Sequence, residues 1–424
     1  MKPLLKPLFL LLILTLLLPA CTPTSSTETH STLRRITSPD VDAAAVQQLA
    51  AGNTAFALDL YQALKTPDAN LFYSPYSLSL ALAMTYAGAR GNTETQMAQV
   101  LHFPSQDTLH PAFNALDLAL TARANGKKAF ELTLANSLWG QQDYVFEPAF
   151  LDTLAANYGA GLRLTDFAHA PDPARVAIND WVSDQTQDRI NDLIPEGAID
   201  SLTRLVLANA IYFNAQWVHP FAAESTSDAP FNLLTGETIN VPMMRMEEPV
   251  PLAYGQGAGY QAVELPYQGE QISMLIIVPD AGTFPAFEGA LTPEQYTTLV
   301  NGLTPQMVNL ILPKFTFATT FSLSDTLAGM GMPDAFDPDL ADFSGMDGTT
   351  DLYIAHVFHK AFVAVDEAGT EAAAASAVVM NLESARPMEG VVLFVDRPFL
   401  FFIRDMETGT ILFAGRVVAP EAGG

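Results

Sequence analysis

One alanine-rich segment constrains this chain more than any other: Val363-Ala364-Val365-Asp366-Glu367-Ala368-Gly369-Thr370-Glu371-Ala372-Ala373-Ala374-Ala375-Ser376-Ala377-Val378-Val379-Met380. Alanine has the best helix propensity, so a helix is the ordinary reading. At the two-residue period of a strand the same residues sort onto two faces. Thr370, Ala372, Ala374, Ser376, Val378 and Met380 share one face, uncharged throughout and small at its start. Glu371, Ala373, Ala375, Ala377, Val379 and Asn381 share the other, which carries the only charge. Such a segment can be an exposed loop or a strand in the middle of a sheet. A sequence compatible with both is what a loop-to-strand switch needs.

The rest of the chain supplies both helices and strands. Leu49, Phe56, Leu60 and Leu64 fall largely at four-residue steps, which predicts an amphipathic helix. The short apolar stretch Asn70-Leu71-Phe72-Tyr73 is followed by Ser74-Pro75, a helix cap with proline in the first turn. Leu78, Leu82 and Tyr86 continue that helix toward Gly88, and 93–101 predicts another. Residues 178–194 read as helix and 205–213 as a buried strand. Residues 271–278, 391–395, 399–403 and 410–416 read as strands. Helices dominate the first half and strands the second, which predicts an α+β class.

The N-terminus reads as a targeting segment over residues 1–20. Lys2 and Lys6 precede an apolar run over 8–18, too short for the roughly 20 residues of a membrane span. The run ends Pro19-Ala20-Cys21, which resembles a bacterial lipoprotein signal, although Pro19 departs from the usual small or hydroxyl residue. Cys21 is the chain's single cysteine, so no intramolecular disulfide is available and lipidation is its expected role. Plain secretion and an uncleaved anchor are the alternatives. Residues 21–43, rich in Thr, Ser and Pro, read as a flexible tether before a domain at 44–420. The expected location is extracytoplasmic. The net charge of -26 disfavours nucleic acid, and disfavours a membrane contact other than the lipid.

Enzymatic signatures are missing: no nucleophile elbow, phosphate loop or helical zinc motif. The glycines of Gly255-Gln256-Gly257-Ala258-Gly259 have the wrong spacing for a dinucleotide loop and predict a mobile turn. His356 and His359 lie in a strand-like stretch without a completing ligand set. Neither a metal nor a cofactor is expected.

Glu367-Ala368-Gly369-Thr370-Glu371-Ala372-Ala373-Ala374-Ala375-Ser376 resembles the hinge of inhibitory serpins. The helix after Asn70, Gly88-Ala89-Arg90-Gly91-Asn92-Thr93, Leu207-Ala208-Asn209-Ala210-Ile211-Tyr212-Phe213 with Trp217, and His359-Lys360-Ala361 resemble further serpin motifs. So do Arg397-Pro398-Phe399-Leu400-Phe401-Phe402-Ile403 and the stretch from Gly409 to Val417, all in the family's order. The resemblance implies three β-sheets, about nine helices and an exposed reactive loop at about 367–390. It implies suicide inhibition of a serine or cysteine protease through a covalent complex, by a protein that is not itself an enzyme and is a monomer. The alternative within the family is a non-inhibitory chaperone or ligand carrier, which bulky or charged hinge residues would favour. The resemblance places Ser74, Ser77, Asn209 and His359 in a polar cluster behind the central strands and Trp217 at the head of the sheet. Without it, Ser74 reads as a helix cap and His359 as an ordinary strand residue. Counted as in the family, the reactive bond is Glu383–Ser384; a shift of one gives Leu382–Glu383, Met380 is a weaker choice, and Pro387 blocks cleavage after Arg386. Among residues 110–128 only Arg123, Lys127 and Lys128 are permanently basic, too few for a polyanionic cofactor.

Overall fold

The computed structural model describes residues 27–124, 130–370 and 390–421. Strand β1 (Thr27–Thr29) precedes helix α1 (Ala43–Leu64), which Asp42 caps by accepting the amide of Ala44 at 2.9 Å. Strand β2 (Leu71–Tyr73) runs into α2 (Pro75–Tyr86), where Ser74 accepts the Ser77 amide and Pro75 opens the first turn. Every residue of α2 is buried. The chain continues through α3 (Gly91–Leu101), α4 (Gln106–Ala124), β3 (Phe130–Gln141), α5 (Pro148–Tyr158), β4 (Leu162–Thr165) and α6 (Pro171–Gln185). Strands then follow in series: β5 (Leu205–Gln216), β6 (Ser227–Asn232), β7 (Thr238–Arg245), β8 (Val250–Gly257), β9 (Tyr260–Pro266) and β10 (Ile272–Pro279). Two short helices, α7 (Phe284–Ala290) and α8 (Pro293–Asn301), separate them from β11 (Thr304–Pro313) and β12 (Phe315–Ser322). After α9 (Ser324–Met330) and α10 (Ser344–Asp347) come β13 (His356–Val365), β14 (Gly369–Thr370), β15 (Val391–Phe394), β16 (Phe399–Asp405) and β17 (Ile411–Val417).

Hydrogen bonding joins these strands into a 7-stranded sheet of order β1-β4-β3-β5-β14-β13-β12 and a 10-stranded sheet. The implied three sheets therefore appear as two ladders. One strand explains the difference. Residues 304–308 of β11 pair with β8, while 311–313 pair with β7, so β11 stitches two sheets into one. Ten α-helices stand among the described residues against about nine implied; α10 is a single turn.

The core lies between the two sheets and around α2. Phe72 of β2 stacks on Phe413 at 5.0 Å and on Phe401 at 5.6 Å, tying the helical layer to β16 and β17. A second apolar cluster lies on the opposite side of the 7-stranded sheet, where Ile178 and Val182 of α6 pack over Val206, Ala208 and Ala210 of β5 and Phe358 of β13.

Three sequence expectations are corrected here. The helix expected over 178–194 ends at Gln185. Gln187 and Asp188 adopt φ of 52° and 62°, which no right-handed helix continues. The Thr186 hydroxyl takes up the amide of Ile190, and Ile190, Leu193 and Ile194 are buried from an irregular segment. The expected mobile turn at 255–259 is partly strand: Gly255 and Gly257 belong to β8, and only Gly259 has a positive φ, at 86°. The expected tether over 21–43 is docked in its described part. β1 pairs antiparallel with β4, Arg35 reaches Asp117 at 2.6 Å and Asn114 at 2.8 Å, and the Ile36 amide donates to Ala156. Thr- and Ser-rich composition says only that the segment buries little apolar surface; strand addition and ion pairs hold it instead.

Candidate functional site

The parallel ladder between β13 and β5 covers only residues 356–361 and 206–211. Beyond it the two strands separate, and β14 occupies the gap, antiparallel to both: Thr370 faces Ala215 on β5 and Val365 on β13. The chain reverses into this gap through Asp366. Its carboxylate accepts the amides of Ala368 at 2.8 Å and Gly369 at 3.1 Å, and its own amide donates to the Gly369 carbonyl. A Cβ on Gly369 would lie 2.0 Å from the Ala215 carbonyl oxygen, so only glycine fits.

Side chains from three directions fix this turn. The Trp217 indole donates to the Asp366 carbonyl at 3.1 Å and stacks on Tyr267 with ring centres 4.5 Å apart. The Tyr267 and Thr370 hydroxyls share a hydrogen bond of 2.6 Å, and both residues are buried. Glu367 accepts from Thr226 at 2.7 Å and pairs with Lys314 at 2.8 Å. Burial opposes the Glu367 carboxylate, but the bonds from Lys314 and Thr226 outweigh it and hold its pKa below the usual range. Of the expected loop at 367–390, Gly369 and Thr370 are thus seated in the sheet, and Glu367 and Ala368 form the turn that leads into it. Trp217 lies at its head, against the hinge.

Halfway down the sheet, Asn136, Asn209 and His359 stand in one row on adjacent strands β3, β5 and β13. The helix cap meets them from behind. The Ser74 amide donates to His359 Nε2 at 3.0 Å, so that nitrogen accepts and Nδ1 carries the proton, donated to Asn209 Oδ1. Asn209 Nδ2 donates to Ser77 Oγ at 2.7 Å and to Asn136 Oδ1; the Ser74 hydroxyl donates to the Leu412 carbonyl at 2.7 Å. Ser74, Ser77, Asn209 and His359 are fully buried. Burial pushes the His359 pKa down to about 3, so the ring is neutral. The structure therefore brings the four expected residues together. It adds Asn136, which sequence reasoning passed over; its signal was a lone amide inside Leu134-Ala135-Asn136-Ser137-Leu138.

Glu371, Ala372, Ala373, Ala374, Ala375, Ser376, Glu383, Ser384 and Cys21 lie outside the described residues. His356 and His359, three apart on β13, fall on opposite faces of the strand. Among the described residues no group of three His, Cys, Asp or Glu is placed to hold a metal.

A family model described as Serpin (serine protease inhibitor) matches residues 51–420. This chain is a serpin. Leukocyte elastase inhibitor of Homo sapiens is 40% identical to the serpin over 384 residues, covering 88% of this chain and 100% of that protein. The Sus scrofa protein of the same name is 41% identical over 385 residues, again with 88% and 100% covered. The native-state crystal structure of the thermophilic serpin tengpin superposes with a TM-score of 0.82 at 28% identity, covering 93% of this chain and 100% of that one.

The neutral His359 should make the serpin acid-sensitive. Its folded pKa lies below the ordinary 6.5, and His110, buried against Tyr158, is lowered to about 4. Below about pH 6.5 the unfolded chain binds protons that the native state refuses. Stability is therefore complete above that pH and is lost as pH falls toward 4, by up to about 1.4 kcal/mol per unit for each ring. The urea midpoint should fall between pH 7 and pH 5, and His359→Gln should flatten that dependence. A slope unchanged by the substitution would show that His359 carries no such load.

Proposed function

We propose that this serpin inhibits a serine protease as a suicide substrate, and that the reactive segment is the stretch joining Thr370 to Gly390. The carrying observation is the two-residue strand β14, seated between β5 and β13 and antiparallel to both. It is the first step of a strand that can grow. Continued in the same register, Ala372 would face Phe213, Ala374 would face Ile211, and Ser376 would face Asn209. Thr370 points toward Tyr267 and the core, so the uncharged small face of the segment would be the buried one.

The chemistry belongs to the protease. Its nucleophile attacks the carbonyl of the residue before the cut, the peptide bond breaks, and the new amine leaves with the C-terminal fragment. The acyl-enzyme holds the protease on the end of the cleaved segment. That segment then inserts, which requires Asn209 and His359 to part. From Gly369 to Glu383 an extended strand spans roughly 45–50 Å at about 3.3 Å per residue. The protease is dragged that far, and a misplacement of about 1 Å already costs catalysis on the order of 10²-fold. Deacylation stops and the complex persists. A cysteine protease would be trapped through its thioester in the same way. Glu367, Gly369 and Thr370 act as the hinge, Ser74, Ser77, Asn209 and His359 as the closure of the sheet, and Trp217 as the support at its head.

The reactive bond in this reading is Glu383–Ser384, which suits a basic specificity pocket. A second assignment is Leu382–Glu383, one residue earlier, which puts an apolar residue before the cut and suits a chymotrypsin-like or subtilisin-like pocket. The N-terminus completes the proposal: residues 1–20 are removed and Cys21 carries lipid, placing the inhibitor at a cell-envelope surface.

Thr370→Arg puts a charge where a buried hydroxyl now meets Tyr267, a burial without a partner. The variant should be cleaved without trapping the protease, and a wild-type yield of detergent-stable complex would contradict insertion. Mass spectrometry of the C-terminal peptide released by the denatured complex decides the bond: a start at Ser384 supports the first assignment, a start at Glu383 the second. Cys21→Ala should move the protein from the membrane to the soluble fraction, and unchanged membrane association would refute the lipid anchor.

A further inference from the structure

Three connections around the 10-stranded sheet enclose a cavity of about 390 Å³: the tip of the β6–β7 hairpin, the chain from Pro279 into the start of α7, and residues 396–398 between β15 and β16. That size falls within the roughly 300–1,000 Å³ of small-molecule sites. The cavity lies apart from the hinge and from the polar row, none of whose residues line it.

Its walls hold one another. The Asn232 amide donates to the Asp396 carbonyl at 2.8 Å, and the Asn232 side-chain amide donates to the same oxygen at 3.2 Å. Arg397 Nε donates to the Pro279 carbonyl at 2.9 Å. The hairpin is closed by the Leu233 amide on the Glu237 carbonyl at 2.8 Å and turns through Gly236 at a φ of 86°. The cavity is therefore formed before any ligand arrives, and little ordering remains for binding to accomplish.

Two chemistries meet in its lining. Leu233 and Leu234 are half-buried at a hairpin tip, where polar turn residues are the rule, and Phe284 closes the space beside them. Three charged residues share the site. Asp396 Oδ1 accepts from Arg397 Nη1 at 2.8 Å, so these two compensate each other. Asp280 differs. Its amide donates to the Gly259 carbonyl, and its carbonyl accepts the Thr283 amide and hydroxyl. Its carboxylate has no hydrogen-bond or ion-pair partner among the described residues. The site thus sets one uncompensated negative charge beside an apolar wall, an arrangement that repels an anion and gains nothing from a neutral molecule.

We propose that this cavity binds a small hydrophobic monoamine, its apolar body among Leu233, Leu234 and Phe284 and its ammonium on Asp280. An occupant would bridge the β6–β7 hairpin and the chain that follows β15, and would stabilise the folded protein by mass action. The site is independent of the insertion reading, because it needs neither the reactive segment nor a protease.

The test is isothermal titration calorimetry of the full chain with three probes of one shape: tryptamine, the neutral tryptophol and the anionic indolepropionate. Tryptamine should saturate a single site. An exposed ion pair is a modest interaction, so it should bind about 5-fold tighter than tryptophol, with indolepropionate weaker than both. Asp280→Asn should abolish the preference for the amine and leave tryptophol unchanged. This variant keeps the fold, since only the backbone of Asp280 is engaged. Leu234→Ser should weaken tryptamine and tryptophol alike, about 3-fold or more. Glu237→Gln, on the same hairpin but outside the lining, should change nothing and controls for general attraction to an acidic protein. No saturable binding of tryptamine, equal binding of the three probes, an amine preference that survives Asp280→Asn or is lost equally in Glu237→Gln, or affinities untouched by Leu234→Ser would each overturn the site. Protease trapping is not read here, so failure of this site and failure of the inhibition reading are separate results.

Discussion

The hydrogen bond between Asn209 and His359 is the interaction on which the rest of this molecule turns. It lies at the seam between β5 and β13, where a sheet that must one day admit another strand is held shut. An apolar seam would be slow to reopen, because buried hydrocarbon finds no better partner in an incoming alanine. A polar seam is different. His359 and Asn209 have exchangeable partners, and any group that offers Asn209 a new one can replace the imidazole. An unpaired buried polar group costs about 1–3 kcal/mol, so the seam stays closed until a replacement arrives. In the proposed insertion, Ser376 would be such a replacement.

The two ends of this device are built on different physics. At the head, Gly369 and Thr370 are held by backbone pairing and by a turn that Asp366, Glu367, Trp217 and Lys314 fix from outside. In the middle, the row Asn136–Asn209–His359 is satisfied by the cap of α2, so the residue that begins a helix also closes a sheet. Ser74 serves both purposes with different atoms. Its hydroxyl bonds the Ser77 amide and the Leu412 carbonyl, while its own amide goes to His359.

Much of this was legible in the sequence, for reasons that differ by residue. Ser74-Pro75 announced a helix start because capping is local chemistry. Strands at 205–216 and 399–405 announced themselves through continuous apolar runs, as strands buried on both faces must. The polar cluster was visible only through the family resemblance, since nothing local joins Ser74 to His359, 285 positions away. Asn136 escaped because an isolated amide in a strand looks like any solvated one. The docking of 27–36 escaped because strand addition and Arg35 ion pairs leave no apolar period to read. The helix expected to run to 194 stopped at Gln185 because apolar spacing alone does not register the positive φ at Gln187 and Asp188. The merging of sheets through β11 depends on one strand pairing with two partners along its length, which is a tertiary fact.

The central claim is that the native chain is metastable, with room in its main sheet for a strand that it does not yet contain. Thermal unfolding before and after a single proteolytic cut between residues 371 and 389 tests this most directly. If the native chain is metastable in this way, the nicked protein, its two fragments still associated, unfolds at a distinctly higher temperature than the intact one. A nicked protein that unfolds at the same temperature, or a lower one, would contradict it.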